Sequence, residues 1–240
     1  MNGRKPLYLM AGGDFRRPSG VIPRIRAILG ETGRAHPRVA YIGTASGDDA
    51  SFYRSASDWI RRAGAGPVRH ALLSPGKADP AGARALLGDA DAVFVSGGDV
   101  REGMRPIERG GLVPFLRGLY DSGTLFFGIS AGSIMLGTHW VEWKDPDDDA
   151  SAGLFRCIGM APLVCDTHAE PEGWAELKAA VGLLGEGGRG YGIPTSGTLR
   201  VDPDGTVAAL DRPAACYGKR SGVVAALDAI PVRGGRGRAP

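Results

Sequence analysis

The chain has 240 residues, 43% hydrophobic and 23% charged, which is enough for one well-packed domain without help from disulfides. Its formal charge is +3, but the last ten residues, "PVRGGRGRAP", hold Arg233, Arg236 and Arg238 and no acid, so the rest of the chain is neutral. That balance argues against a nucleic-acid groove, which needs a concentrated basic face, and the three cysteines, with no CxxC spacing, make neither a disulfide framework nor a zinc site.

The start, "MNGRKPLYLMAGGDF", has only a short apolar run, too short for a signal peptide, and no apolar run approaches the ~18 residues of a membrane span. The expected location is the cytoplasm, with no membrane or nucleic-acid partner. "PLYLMAGG" reads as a buried first strand and "VIPRIRAIL" as a helix. "RVAYIGTAS" is a second strand, and "SFYRSASDWIRRAG" puts Phe52, Ala56, Trp59, Ile60 and Ala63 on one helical face. "PVRHALLS" is a third strand, followed by a short helix at "DPAGARALLG". "DAVFVSGGDV" is a fourth strand ending in a glycine turn, and "GLVPFLRGLY" reads as the next helix. "TLFFGIS" is a fifth strand.

Apolar strands separated by helices of about ten residues predict an α/β fold, a mostly parallel, doubly wound sheet with helices on both faces. Ligand sites in such sheets gather at the carboxyl ends of the strands. The segments "GGD" at 12–14, "GTAS" at 43–46, "SGGD" at 96–99 and "SAG" at 130–132 all fall at that edge. The C-terminal third is different: "LVCDTH", "YGIPTSGTLRV", "TVAALD" and "PAACYG" are short strands around one helix, Trp174 to Leu184, and "VDPDG" predicts a hairpin. Residues 1–230 are expected to form a single domain and 231–240 a disordered, basic Gly/Arg-rich tail.

The segment "GISAGSIML" runs from the fifth strand into a helix and has the G-x-S-x-G pattern of a nucleophile elbow. So tight a turn needs small residues two before and two after the nucleophile, and Gly128 and Gly132 meet that need around Ser130. The turn presents the N–H of Ala131, where it can stabilise an oxyanion. A serine hydroxyl needs a base, and there are four histidines. His36 lies in a loop, His70 inside an early strand, and His139 too soon after the elbow helix to reach back. His168, at the end of the apolar run "LVCDTHAE", remains. An acid to orient it could come from Glu142, Asp145, Asp147, Asp148 or Asp149 in "THWVEWKDPDDDA". Trp59, Trp174, Trp140 and Trp143 read as packing residues. No spacing of histidines and carboxylates suggests a metal, and no cofactor is expected.

The elbow, the "SGGD" turn and the late histidine together resemble the aspartyl dipeptidase and cyanophycinase family of serine peptidases, over roughly residues 6 to 218. Five segments follow that family's order: "RVAYIGTASGDD", "DAVFVSGGDV", "GISAGSIML", "PLVCDTHAE" and "YGIPTSGTLRVDPDGTV". The resemblance implies a class I glutamine amidotransferase-like fold with a small C-terminal hairpin region. It implies Ser130 as nucleophile, His168 as base and Asp145 as acid, with Glu142 in reserve. Gly98 or Asp99 would supply a second oxyanion N–H beside Ala131. The implied reaction is acyl transfer on a small peptide substrate, such as a dipeptide with an N-terminal aspartate, by a monomer or homodimer.

Thr195 stands where many relatives carry an acid after Gly-Ile-Pro, and the segment after His168 lacks the arginine of the cyanophycinase branch. An N-terminal aspartate would need a cation, for which Arg101 and Arg200 are the candidates. The departure at Thr195 motivates an alternative from another class, a catalytically silent ligand-binding or regulatory member of the same fold. An α/β-hydrolase esterase shares the G-x-S-x-G pattern, and an antiparallel second strand would mark it.

Overall fold

Four of the first five strands are apolar and buried at every position, and burial on both faces is what a central parallel strand requires. The computed structural model describes residues 3–13, 20–145 and 147–233, with the side chain of Asp149 excepted. In chain order the elements are β1 (Leu7–Met10), α1 (Val21–Gly30), β2 (Val39–Ile42), α2 (Ala50–Arg62), β3 (Val68–Ala71), α3 (Pro80–Gly88) and β4 (Ala92–Val95). Then come α4 (Val100–Arg109), α5 (Leu112–Asp121), β5 (Leu125–Ile129), α6 (Ala131–Leu136), β6 (His139–Trp143), β7 (Ala152–Arg156) and β8 (Val164–Thr167). The chain continues through α7 (Ala175–Leu183), β9 (Arg189–Ile193), β10 (Thr198–Val201), β11 (Val207–Ala209), β12 (Ala214–Arg220) and β13 (Val223–Ile230).

The main sheet has seven strands in the order β11-β10-β1-β5-β4-β2-β3. The five from β1 to β3 are parallel, and the β10–β11 hairpin adds to β1 antiparallel. Because β2 is parallel to both of its neighbours, the α/β-hydrolase alternative is excluded. Alternation along each strand feeds two cores. Leu7, Leu9, Val93, Val95 and Phe126 pack towards Leu87, Met104, Ile107 and Leu116 of α3, α4 and α5. Tyr8, Met10, Tyr41, Phe94 and Phe127 pack towards α1 and α2. Each such side chain contributes about 1.5–3 kcal/mol by leaving water.

Three features differ from the sequence expectation. Helix α4 is absent from it, because Gly103 and Pro106 interrupt the segment "VREGMRPIER". Yet Val100, Gly103, Met104 and Ile107 recur at helical spacing and are buried, and Asp99 caps the start by accepting from the Glu102 N–H at 2.8 Å. The C-terminal region is larger than a hairpin: β8, β9, β12 and β13 form a second sheet in the order β13-β12-β9-β8. The expected tail also starts too early, since Val232 bridges to Ala209 and the Arg233 N–H donates to the Ala209 carbonyl at 2.8 Å. The rest of that expectation, on 234–240, lies outside the described residues, as does Asp14 of the first glycine turn. Among the described residues no helix is long and apolar enough to cross a membrane.

Candidate active site

The turn between β5 and α6 holds Ser130 at φ 53°, ψ −127°, a conformation that L-residues rarely adopt. It is pinned to the neighbouring strand at two points. The Ser130 N–H donates to the Met10 carbonyl at 2.8 Å, and the Ser133 hydroxyl donates to the same oxygen at 2.9 Å. The glycines of the motif have a steric reason. A Cβ on Gly132 would lie 2.1 Å from the Val95 carbonyl oxygen, and one on Gly128 would lie 2.6 Å from the Gly132 carbonyl oxygen. The sharp turn exists because nothing larger than hydrogen fits between its strand and its helix.

His168 follows the last residue of β8 and lies at φ 47°, with its N–H donating to the Ile193 carbonyl of β9 at 2.9 Å. Strand β8 is docked on the elbow helix, for the Thr138 N–H donates to the Leu163 carbonyl at 2.8 Å and the Cys165 thiol contacts the Ser133 carbonyl at 3.7 Å. Docking of the second sheet thus carries the imidazole to the serine, and Ser130 Oγ lies 2.8 Å from His168 Nε2. The other histidines are elsewhere: His70 on β3 pairs with the buried Asp48 at 3.1 Å, and His139 on β6 is half-buried, its pKa pushed down by burial and by Arg156.

Neither Asp145 nor Glu142 hydrogen-bonds His168. Asp145 is exposed in the loop between β6 and β7, where its Oδ1 accepts from the Asp147 N–H at 3.1 Å, as aspartates before proline commonly close their own turn. Glu142 is ion-paired with Arg101. Among the described residues the ring of His168 has one hydrogen bond, the one to Ser130. Two acids that the sequence reading passed over lie on the His168 segment. Glu170 accepts from the Thr195 N–H at 2.7 Å.

Asp166, on β8, is buried with one oxygen accepting from the Thr167 N–H and the other without a partner among the described residues. Burial, with the charges of Glu176, Glu172 and Glu170 adding to it, raises its carboxyl to about 6. The folded state therefore binds this proton more tightly than the unfolded chain does, so the site's contribution falls as pH rises from the unfolded value towards 6. Asp166→Asn is expected to stabilise the protein at pH 7 by on the order of 2 kcal/mol, with the gain gone near pH 4. Thermal unfolding at the two pH values checks this, and a less stable variant at pH 7 would contradict it.

On the other side of Ser130 lies the glycine turn after β4. Gly98 has φ 142°, and a Cβ there would fall 1.9 Å from the Ala45 carbonyl oxygen. Its N–H and that of Gly97 have no hydrogen-bond partner among the described residues. Asp99 is corrected as an oxyanion donor: its N–H already donates to the Ala45 carbonyl at 2.8 Å. A groove of about 590 Å³ runs from Ser130 and this turn along α2. The three cysteines are buried, and burial pushes the Cys157 thiol up to about 12, so none competes as a nucleophile. Among the described residues no cluster of three or more histidine, cysteine or acidic side chains is placed to hold a metal ion.

Residues 7–203 match the family model described as "Peptidase family S51". The uncharacterized peptidase YgaJ of Bacillus subtilis is 27% identical over 156 residues, a match covering 65% of this chain and 65% of that protein, just under two thirds of its length. Two crystal structures, each 16% identical, share the fold. One, of a peptidase from an acI-B1 actinobacterium, has a TM-score of 0.66 and the match covers 95% of this chain and 97% of that one. The other, of a putative peptidase E protein from Listeria monocytogenes EGD-e, has a TM-score of 0.63 over 86% of this chain and 98% of that one.

Proposed function

The chain belongs to peptidase family S51, a family of serine-type peptidases, and from that premise we propose that it hydrolyses small peptides with Ser130 as nucleophile and His168 as base. The observation that carries this reading is the 2.8 Å approach of Ser130 Oγ to His168 Nε2, from two separate sheets. As Ser130 Oγ bonds to the scissile carbonyl carbon, its proton passes to Nε2, and the carbonyl oxygen becomes an oxyanion. The Ala131 N–H and those of the Gly97–Gly98 turn face that charge. The tetrahedral centre then expels the amine, which takes the proton from His168, and an ester to Ser130 remains. Water, deprotonated by His168, releases the acid and restores the serine.

Both residues are held from the backbone, Ser130 through Met10 and His168 through Ile193, so a Ser–His pair is aligned without Asp145. The aspartyl-dipeptide specificity finds no free cation in the two candidates. Arg101 is paired with Glu142, and Arg200 is held by Glu31 at 2.8 Å and Asp202 at 2.7 Å. The reaction is therefore placed on small peptides in general rather than on N-terminal aspartate.

The test is labelling with an alkyl fluorophosphonate, which reports an activated serine whatever the substrate. Wild-type protein is expected to label and Ser130→Ala not to. The silent binding reading draws on the imidazole of His168, which no described carboxylate contacts, and it predicts no labelling of either protein.

A further inference from the structure

Helix α2 carries an apolar stripe that the core uses only in part. Ile60 and Ala63 are buried in the core against β2 and β3, together with Ala56. Phe52, one turn before Ala56 and two before Ile60 on the same stripe, is 54% exposed, and Trp59 is only partly covered. Phe52, Ser55, Ala56 and Trp59 recur at i, i+3, i+4 and i+7 and line one wall of the groove that ends at Ser130. Tyr41, Phe94 and Ile129, from the carboxyl ends of β2, β4 and β5, line the other. No charged side chain is among the described residues lining it.

Resting on the serine-peptidase reading above, we infer that this groove is the acyl-side specificity subsite and takes a bulky apolar or aromatic side chain. The side follows from the chemistry. His168 must face the departing nitrogen, and His168 does not line the groove, whereas the Gly97–Gly98 turn and Ser130 do. The residue whose carbonyl is attacked therefore projects its side chain along α2. A carboxylate there would lose water and meet no cation among the described residues lining the groove, while a phenyl ring would cover Phe52 and Trp59.

The probe is a set of diphenyl α-aminoalkylphosphonates bearing the phenylalanine, alanine or aspartate side chain, which phosphonylate an active serine without needing turnover. The phenylalanine analogue is expected to inactivate the wild type at least about tenfold faster than the alanine analogue, with the aspartate analogue slowest. In Phe52→Ala the phenylalanine-to-alanine ratio is expected to fall at least about threefold. Phe52 is exposed near the start of α2, so the variant has no core contact to lose. Equal rates, a faster aspartate analogue, or a ratio unchanged in Phe52→Ala would overturn the inference. Absence of fluorophosphonate labelling would instead remove the serine-peptidase reading, so the two failures are told apart.

Discussion

Ser130→Ala and His168→Ala are each expected to lower kcat/KM on a cleaved peptide by about 10⁴–10⁶-fold, and the double variant to be no worse than either. The reason is that the two side chains act as one unit. Without His168 the hydroxyl of Ser130 holds a proton it cannot lose at neutral pH, and without Ser130 the imidazole has no nucleophile to activate. What remains is the pull of the oxyanion N–H groups on a water-borne reaction, which neither substitution touches. The measurement is steady-state kinetics of the three variants beside the wild type. A double variant much worse than both singles would show that the two act independently, which a shared proton transfer does not allow.

Gly132→Ala is expected to have the second-largest effect, although the side chain added is a single methyl group. Its Cβ would lie 2.1 Å from the Val95 carbonyl oxygen and 2.7 Å from that of Ser96, both backbone atoms at the end of the central strand β4. Neither can swing aside as a flexible side chain would, so α6 must move off the sheet or the turn must open. The expected loss is about 3 kcal/mol of stability, or a displaced Ser130 whose labelling slows at least ~100-fold. Gly118→Ala is the control. It sits in α5 with open space around the new methyl group, and it is expected to hold or raise stability by up to about 1 kcal/mol. Thermal unfolding and labelling rates of the pair separate a steric clash at the elbow from the general effect of replacing a glycine. Equal behaviour of the two variants would mean that the elbow is not close-packed.

Much of this protein was legible in the sequence because the signals were local. The apolar strands β1, β2, β4 and β5, the "VDPDG" hairpin between β10 and β11, and the elbow around Ser130 each depend on residues a few positions apart. Helix α4 carried its signal as well, in Val100, Gly103, Met104 and Ile107, but Pro106 inside the helix obscured it. His168 could be picked out by elimination because the other histidines sit in elements that point elsewhere.

The partners of those residues were not legible, for they depend on how distant segments pack. The family resemblance, not the local sequence, singled out Asp145, whose carboxylate is engaged by its own turn, which a local hydrogen bond closes at no cost in long-range ordering. Asp99 looked equal to Gly98 as an oxyanion donor until Ala45, from the loop after β2, was seen to take its N–H. The stripe on α2 read as one helical face, since periodicity shows which residues share a face and not what that face meets. By itself, then, the sequence determined the α/β order of elements and a turn that only Gly128 and Gly132 permit, because backbone sterics act over a few residues. Only the tertiary structure decided that β8 docks on α6 to bring His168 to Ser130, and that half of an apolar helix face is left along a groove, because both follow from contacts between segments far apart in the chain.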